Sequence, residues 1–500
     1  MTRSLIVILG FLGLVAAQSG AASCEALVQA GLGDRVILPS DAGYEAEVNS
    51  WWAKNGRQRA ECFVLPRTSH EVSAVLEILA TGACQSDGEI AVRSGGHSST
   101  GSSSTINGIT VDLTRLNSTS YDRESNIASV GPGGRWQDVY AELVPHGVTV
   151  AGGRDGDVGV GGFLLGGGNS YYSGKLGFGC DTVVNFEVVL ANGTIVSANR
   201  TANADLWQAL KGGSNNFGIV TRFDMDAAPA PKLYRDARFF AANYSDALVD
   251  AVVGFADSDE SIADDAFFVF FSHDPTDLPG VDTFAASVYV NTQGLTNSRT
   301  PFNKVAALPA LYNNTAIQTM ASAAAESKVR SGTWNYGLTL TFNNDARVAR
   351  HAVTLHSELV DSLKRIMAPE DFFTQMFLQP LPSYRWPIGK KRGGNVLGLD
   401  HLRNSALLYT AGVGVLADDA PRRKADHLLN AMGAQLSDFA KSVGGDMAFI
   451  YLNYAGSEQD PLSTYGVSNV KLMKEVAAKY DPAGVFQKRV AGGYKISHVE

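Results

Sequence analysis

The sequence predicts an α+β protein with a glycine-rich first domain, a strand-rich middle domain and a short C-terminal tail. At 500 residues and 53.1 kDa, the chain is longer than one ordinary hydrophobic core organises. Helical and strand-like apolar patterns alternate along it. Of its 52 glycines, 20 fall between Gly95 and Gly179. Glycine at this density indicates backbone that turns tightly or lies against something large.

Composition and charge exclude several classes of protein. Hydrophobic residues make up 45% and charged residues 18% of the chain, which excludes wholesale disorder. The 41 basic and 50 acidic residues give a net charge of −9. We therefore expect neither a nucleic-acid partner nor an anionic membrane surface as partner.

The N-terminus has the pattern of a secretory signal peptide spanning residues 1–17. An apolar run from Leu5 to Ala16 follows Arg3, and Val15-Ala16-Ala17 offers small residues for cleavage. The run is shorter than the ~20 residues of a membrane span. A secreted or lumenal protein is expected, with glycan acceptors at Asn117, Asn192, Asn199, Asn243 and Asn313. Four cysteines fit an oxidising compartment and allow three pairings, among which the sequence does not choose.

Local patterns then place the elements of the first half in order. A capping-box spacing at Thr68–Glu71 opens a helix, and Asn-Gly at 192–193 joins two alternating stretches into a hairpin. The other predicted elements of this half are strands at Ile90–Arg93 and Ile109–Leu113 and a helix at Trp136–Leu143.

The second half changes character from about Asp236, where glycine becomes sparse. Apolar stretches at Ala266–Ser272 and Ala285–Val290 predict strands, and Ala346–Ile366 and Ser468–Tyr480 predict helices. Prolines mark a boundary at Ala228–Lys232 and a loop at Pro380–Pro387. Aromatic residues of this half are either core or the lining of an apolar site, namely Phe267, Phe268, Phe270, Phe271, Phe372, Phe373 and Phe377.

Two glycine loops carry the chemistry, Arg93–Ser98 and Gly159–Asn169. Successive glycines let backbone N–H groups converge on an anion such as a diphosphate. The second loop lacks the third glycine of a Rossmann fingerprint, and neither loop precedes a Walker lysine. Either loop taken alone is equally consistent with a structural turn, and His97 taken alone is consistent with an ordinary surface histidine. Together they indicate a large diphosphate-bearing cofactor, to which the nucleophilic imidazole of His97 is suited to bond.

These residues resemble the flavin-attachment loop of the berberine-bridge-enzyme-like FAD-linked oxidoreductases, of the vanillyl-alcohol-oxidase (PCMH-type) superfamily, in a fungal-type secreted form. Further motifs match in order along almost the whole mature chain, including Gly131-Pro132-Gly133, Asp181–Val184, Gly218–Thr221 and Tyr451–Tyr454. The resemblance implies a PCMH-type FAD-binding domain at 18–230, a substrate domain at 231–450 with an antiparallel sheet covered by helices, and a returning segment at 451–500. It implies FAD contacts from Arg93, Ser94, Gly95, Gly96, His97, Ser98, Gly159, Gly161, Gly162, Gly166, Gly167, Gly168, Gly218, Ile219, Val220, Asn453 and Tyr454.

The resemblance also implies chemistry at single residues. His97 would carry the covalent 8α bond to FAD, and Asp155 stands where many members have a second, cysteine attachment, so one bond is expected. Cys24 and Cys84 would form a disulfide, leaving Cys62 and Cys180 as free thiols. The resemblance would make Tyr451 the catalytic base, although its position on a strand is equally consistent with a hydrogen-bonded core tyrosine.

The expected function is an FAD oxidase that removes a hydride from an alcohol or amine carbon of a secondary metabolite, with O2 as acceptor. We expect a monomer and no metal. The alternatives are a carbohydrate oxidase that releases H2O2, a dehydrogenase that excludes O2, and a secreted glycoprotein that has lost its flavin.

Overall fold

The computed structural model describes residues 21–81, 88–278, 280–297, 300–418, 420–490 and 492–500. The predicted signal peptide and Cys84 lie outside these ranges. Within them no helix combines the length and the hydrophobicity needed to cross a bilayer.

The first half contains two sheets. The smaller one has the strand order β1-β2-β4-β3, with β2 and β3 parallel to β4. The larger, antiparallel one has the order β5-β6-β10-β8-β9, and β7 pairs with β11 in a separate ribbon. The strands are β1 Val36–Ile37, β2 Cys62–Val64, β3 Glu89–Arg93, β4 Gly108–Asp112, β5 Thr119–Asp122, β6 Ile127–Val130, β7 Val148–Thr149, β8 Val183–Val189, β9 Ile195–Asn199, β10 Ile219–Asp226 and β11 Ala228–Pro229.

Short helices pack on these sheets, and two of them, those at Ser69–Leu76 and Trp136–Leu143, stand where the sequence patterns predict them. They are α1 Tyr44–Val48, α2 Ser69–Leu76, α3 Trp136–Leu143, α4 Val160–Leu165, α5 Ser173–Leu176 and α6 Ala204–Leu210. Thr68 caps α2, because its Oγ1 accepts from the Glu71 N–H at 3.1 Å. The Glu71 carboxylate accepts from the N–H of Arg67, one residue before the cap, at 2.6 Å. The predicted hairpin forms β8 and β9.

The second half is built on one eight-stranded antiparallel sheet. Its strand order is β15-β12-β14-β13-β17-β18-β16-β19. The strands are β12 Leu233–Ala241, β13 Asp265–His273, β14 Phe284–Asn291, β15 Tyr312–Gln318, β16 Trp334–Asn343, β17 Phe372–Leu381, β18 Ala406–Val415 and β19 Asp446–Met447. The helices of this half and of the tail are α7 Ser245–Ala256, α8 Phe302–Ala306, α9 Met320–Glu326, α10 Ala346–Lys364, α11 Trp386–Lys391, α12 Arg422–Ser442, α13 Val467–Tyr480 and α14 Val485–Lys488.

Strand alternation divides the aromatic residues between the two faces of this sheet. Phe267, Phe271 and Phe372 are buried in the core that α7, α10 and α12 cover. Phe268, Phe270 and Phe377 point to the opposite face and are half-buried. Adjacent aromatic residues therefore lie on opposite faces of the sheet, and their predicted role as the lining of a site stays a prediction.

Three sequence predictions are wrong: the bond between Cys24 and Cys84, the free thiol at Cys62, and the loop at Pro380–Pro387. Cys24 is bonded to Cys62 rather than to Cys84, with a Cα–Cα distance of 6.2 Å. Cys62 stands on β2, and the N-terminal residues around Cys24 pack in the same hydrophobic cluster, which brings the two thiols together. Cys180 is free and buried, as expected. The stretch Pro380–Pro387 is not a loop, since β17 runs to Leu381 and α11 begins at Trp386.

The tail packs back onto the first half. Tyr480, at the end of α13, donates its hydroxyl to Asp205 of α6 at 2.8 Å. The Gln487 amide of α14 donates to the Asn216 carbonyl at 2.9 Å. These contacts join the C-terminal tail to the glycine-rich part of the chain.

Candidate active site

The two glycine loops lie directly against each other. A Cβ on Gly95 would stand 2.5 Å from the Gly159 Cα, so the backbones approach more closely than any larger residue permits. Ser94 ties them together, because its hydroxyl donates to the Pro132 carbonyl at 2.6 Å and accepts from the Gly161 N–H at 3.0 Å. Two segments that are far apart in sequence therefore form one surface.

His97 follows these glycines, after a turn in which Gly96 has φ +64°. Its ring stacks on Trp52, with 4.3 Å between centroids and 11° between planes. Its Nε2 is buried without a hydrogen-bond partner, and the nearest carboxylate, Asp155 Oδ2, is 3.7 Å away. Burial and then the charge of Arg135 lower the pKa of His97 to about 4. The imidazole is therefore neutral at physiological pH and keeps its lone pair.

Arg93, at the start of this loop, is held in place by neighbouring side chains. Its guanidinium is buried, donates to Asp112 at 2.8 Å and Glu47 at 2.7 Å, and lies 3.7 Å above the Trp51 ring. Burial, together with the neighbouring Asp112, raises the pKa of Glu47 to about 7. The polar contacts of Arg93 are thus with the protein itself, and its predicted contact with FAD stays a prediction.

The second loop receives the C-terminal motif. The Tyr451 hydroxyl accepts from the N–H groups of Gly168 at 2.9 Å and Asn169 at 2.7 Å. Asn453 donates to the Phe163 carbonyl at 2.9 Å and packs so close to Gly166 that no Cβ fits there. Gly167 and Gly168 have φ values of +118° and +89°, which only glycine adopts readily.

Tyr451 is buried and bound by the backbone of the second loop, and its predicted role as the catalytic base stays a prediction. Burial raises the pKa of Tyr451 well above its usual value of 10, and the two N–H bonds lower it less than burial raises it. The side chain fixes the second loop, because its hydroxyl oxygen accepts both of these N–H groups.

The other residues predicted to contact FAD are Ser98, Gly162, Gly218, Ile219 and Val220. Ser98 makes a local turn, accepting from the Thr100 N–H at 3.1 Å. Gly218 packs against Val188 and Val189 of β8, and Ile219 and Val220 are buried in β10. Gly162 is exposed, and no atom lies within 4 Å of where its Cβ would stand.

A polar cluster beside the second loop was missed by sequence reasoning. Arg154 donates to Gln379 at 2.7 Å and to the Tyr454 hydroxyl at 2.7 Å. Asn169 connects Gln379, at 3.4 Å, with Arg385, at 3.3 Å. The sequence marks this cluster only by the position of Arg154 beside Asp155.

These residues fit a flavin. The touching glycines, the open space at Gly162 and the His97 imidazole, whose Nε2 has no hydrogen-bond partner, provide a backbone surface and one nucleophilic nitrogen.

Comparison with known proteins agrees with this geometry. The family model of an FAD binding domain matches residues 60–199. The chain is 36% identical over 480 residues to the FAD-dependent monooxygenase drtC of Aspergillus calidoustus, covering 95% of this chain and 90% of that protein. It is 33% identical to the FAD-dependent monooxygenase sdcF of Emericella nidulans, covering 95% and 98%. The fold and the loops define a PCMH-type flavoprotein.

The chain belongs to the FAD-dependent oxidoreductases that include these fungal proteins. The predicted likeness to the berberine-bridge-enzyme-like FAD-linked oxidoreductases is thereby confirmed. At the level of fold alone, it is similar to glucooligosaccharide oxidase from Acremonium strictum, with a TM-score of 0.75, 17% identity and coverage of 94% of this chain and 99% of that one.

Proposed function

We propose that this FAD-dependent oxidoreductase is an oxidase that takes a hydride from an alcohol or amine carbon of a small secondary metabolite and passes the electrons to O2. The observation that carries the proposal is the contact between the two glycine loops with the unpartnered Nε2 of His97 at its edge. FAD bound there would supply the hydride acceptor. The protein would supply attachment, orientation and a base.

We propose a single covalent bond from His97. Residues 153–158 contain no cysteine, and Asp155 is held by N–H donors, from Asp157 at 2.7 Å and Val329 at 3.0 Å. Cys180 is buried, its N–H donates to the Gly167 carbonyl at 2.8 Å, and burial raises the pKa of its thiol well above 9. The FAD of the Acremonium glucooligosaccharide oxidase is both cysteinyl- and histidyl-linked, so the two proteins would differ in attachment.

The test of attachment is acid precipitation followed by mass spectrometry of flavin-containing tryptic peptides. We expect the yellow colour to stay in the pellet and the flavin mass to fall on the peptide that carries His97. A thioether on any cysteine contradicts the single bond. A colourless purified protein contradicts the oxidase and favours the flavin-free alternative.

The structure favours Tyr454 over Tyr451 as the base. The Tyr454 ring is half-buried, packs edge-on against Tyr451 at 4.9 Å, and its hydroxyl receives the Arg154 hydrogen bond. The Arg154 N–H fixes the orientation of the Tyr454 hydroxyl, and a base must be positioned within hydrogen-bond reach of the proton that it accepts. Tyr451 remains the alternative, and substitution of each decides between them.

Two other reactions have specific support. The structural likeness to an oligosaccharide oxidase favours a carbohydrate substrate, and the names of the fungal relatives favour monooxygenation. Turnover under 18O2 separates monooxygenation from our proposal. An oxidase releases one H2O2 per molecule of product, and its product contains no 18O. A monooxygenase places one 18O atom in the product and releases no H2O2. H2O2 release on a panel of sugars identifies a carbohydrate oxidase, and flavin reduced by substrate but reoxidised slowly by O2 indicates a dehydrogenase.

We further propose that the protein is a secreted glycoprotein and a monomer, with FAD held by residues 18–230 and 451–500 and substrate by 231–450. The predicted acceptors Asn117, Asn192, Asn243 and Asn313 are exposed. Asn199 is half-buried and its amide donates to Asn185 at 3.0 Å, so it is the weakest of the five. Peptide mapping before and after endoglycosidase treatment tests each acceptor.

A further inference from the structure

Two guanidinium groups converge beside Tyr454 and are joined through neutral amides. Arg154 donates to Gln379, Gln379 accepts from Asn169, and Asn169 accepts from Arg385. The second Arg385 contact is with the Pro380 carbonyl at 3.3 Å. Arg154 and Arg385 come from the two halves of the chain, so only folding brings their charges together.

Neither guanidinium has a carboxylate partner. Among the ion pairs of the described residues, none includes Arg154 or Arg385. Arg93, Arg238 and Arg330, which are buried to a similar or greater degree, each hold an aspartate. A cation that leaves water without a counter-charge destabilises a protein, so an uncompensated pair of them indicates a missing anion.

Both side chains are still accessible. Burial, and beside it the charge of Arg154, lowers the pKa of Arg385. Each nevertheless retains exposed surface, being half-buried rather than buried. This combination is typical of groups at the end of a recess, where a ligand reaches them.

Aromatic rings form the adjoining surface. The Arg154 guanidinium lies 4.9 Å above the Phe268 ring, and Phe377 stands 6.2 Å from Phe268 and 5.2 Å from Phe270. These three rings occupy the face of β13 and β17 opposite the covering helices, where Phe268 and Phe270 pack at the border of the main hydrophobic cluster. An apolar surface that ends in two cations is complementary to an aromatic ring carrying a negative group.

We propose that the substrate is an aromatic carboxylate, whose carboxylate binds between Arg154 and Arg385 while its ring lies on Phe268 and Phe377. The proposal rests on the oxidase function and names its substrate class. Arginine suits the role, since its rigid fork of N–H donors matches carboxylate oxygens. Arg385 contributes mainly to binding, whereas Arg154 also donates to Tyr454.

The test compares benzoate with benzamide, its neutral analogue of nearly the same shape, by isothermal titration calorimetry of the purified protein. We expect benzoate to bind at least about tenfold more tightly. Arg385→Gln should reduce that ratio to near one and leave benzamide binding within about twofold. Arg350→Gln, an exposed arginine of α10 paired with Asp246 at 3.1 Å, should keep the full ratio.

Equal binding of the two probes by the unaltered protein overturns the proposal, and so does a full benzoate preference in Arg385→Gln. The ratio of benzoate to benzamide affinity in the unaltered protein decides the proposal by itself, so the test still holds if a variant does not fold. Failure of the oxidase function is seen separately, as a colourless protein or as absent H2O2, while the calorimetric ratio still reports on the two arginines.

Discussion

Among single residues, Gly95 and Gly159 are the positions where the backbones of the two cofactor loops meet. Gly95→Ala places a methyl group 2.5 Å from the Gly159 Cα, and neither backbone can withdraw without breaking the Ser94 contacts. We expect a loss of about 1–3 kcal/mol in stability and a lower flavin content. Thermal unfolding and the ratio of flavin to protein absorbance measure both.

The matched control for that substitution is Gly43→Ala. Gly43 has φ −81°, and nothing lies within 4 Å of its Cβ position. It should change neither quantity. If Gly95→Ala also changes neither stability nor flavin content, the close contact of the two loops is not needed for folding or for flavin binding.

The two tyrosines of the C-terminal motif should separate by phenotype. Tyr454→Phe should slow flavin reduction by substrate about 10²–10⁴-fold with flavin content unchanged, because it removes the proton acceptor beside Arg154. Tyr451→Phe should instead release the N–H groups of Gly168 and Asn169 and cost about 1–3 kcal/mol of stability. Stopped-flow reduction and thermal unfolding measure the two effects. The reverse assignment of phenotypes would restore Tyr451 as the base.

At the scale of elements, β13 has one face in the helix-covered core and an opposite face on which Phe268 lies below the Arg154 guanidinium. Phe267 packs against Phe255 at 5.4 Å and Phe302 at 5.7 Å, so Phe267→Ala should lose about 3–5 kcal/mol. Phe268→Ala, one residue away on the other face, should destabilise far less and weaken ligand binding instead. Thermal unfolding combined with benzoate titration tests the pair, and equal losses of stability would remove Phe268 from the proposed binding surface.

The disulfide ties the N-terminal residues to β2. Cys24→Ser should lower the free energy of unfolding by about 2–4 kcal/mol, because it releases the loop that the bond closes across a sequence separation of 38. Cys180→Ala should leave the bond in place. Non-reduced peptide mapping checks the pairing directly, and a Cys24–Cys84 peptide would contradict it.

Elements whose signals are local were predictable, and contacts between distant segments were not. A few neighbouring residues are enough to predict the cap at Thr68, the hairpin around Gly193 and the alternation of β13. The partner of Cys24 depends on how the N-terminal residues pack on β2. The choice between Tyr451 and Tyr454 depends on which side of a short turn meets the second loop. No local pattern reports either.

At the scale of the whole molecule, the candidate site is assembled from three stretches of chain. The first half gives His97 and Arg154, β17 and the following turn give Gln379 and Arg385, and the tail gives Tyr454. The glycine pattern therefore predicted the cofactor side of the site from sequence. The proposed substrate side required the fold, because Arg154, Gln379 and Arg385 meet only in the folded chain.

Stability of the whole molecule should depend on pH through buried histidine. His356 on α10 is buried, its Nε2 lies 2.9 Å from Thr374 Oγ1, and His273 is its ionisable neighbour. Burial lowers the pKa of His356 from 6.5 to about 4. Between these values the unfolded chain binds a proton that the folded chain excludes, so stability falls as the pH drops from 6.5 to 4.

Replacing His356 isolates this contribution from the other titrating groups. Glu47 acts in the opposite direction, since its raised pKa of about 7 gives stability that is present at low pH and lost as the pH rises through 7. Both Glu47 and His97 titrate equally in the wild type and in His356→Gln, so the difference between the two proteins reports His356 alone. The variant should gain relative stability on acidification, by roughly 3 kcal/mol at most by about pH 4. Unfolding midpoints measured from about pH 4 to about pH 7.5 test this, and parallel curves would mean that His356 takes up its proton as readily in the folded protein as in the unfolded chain.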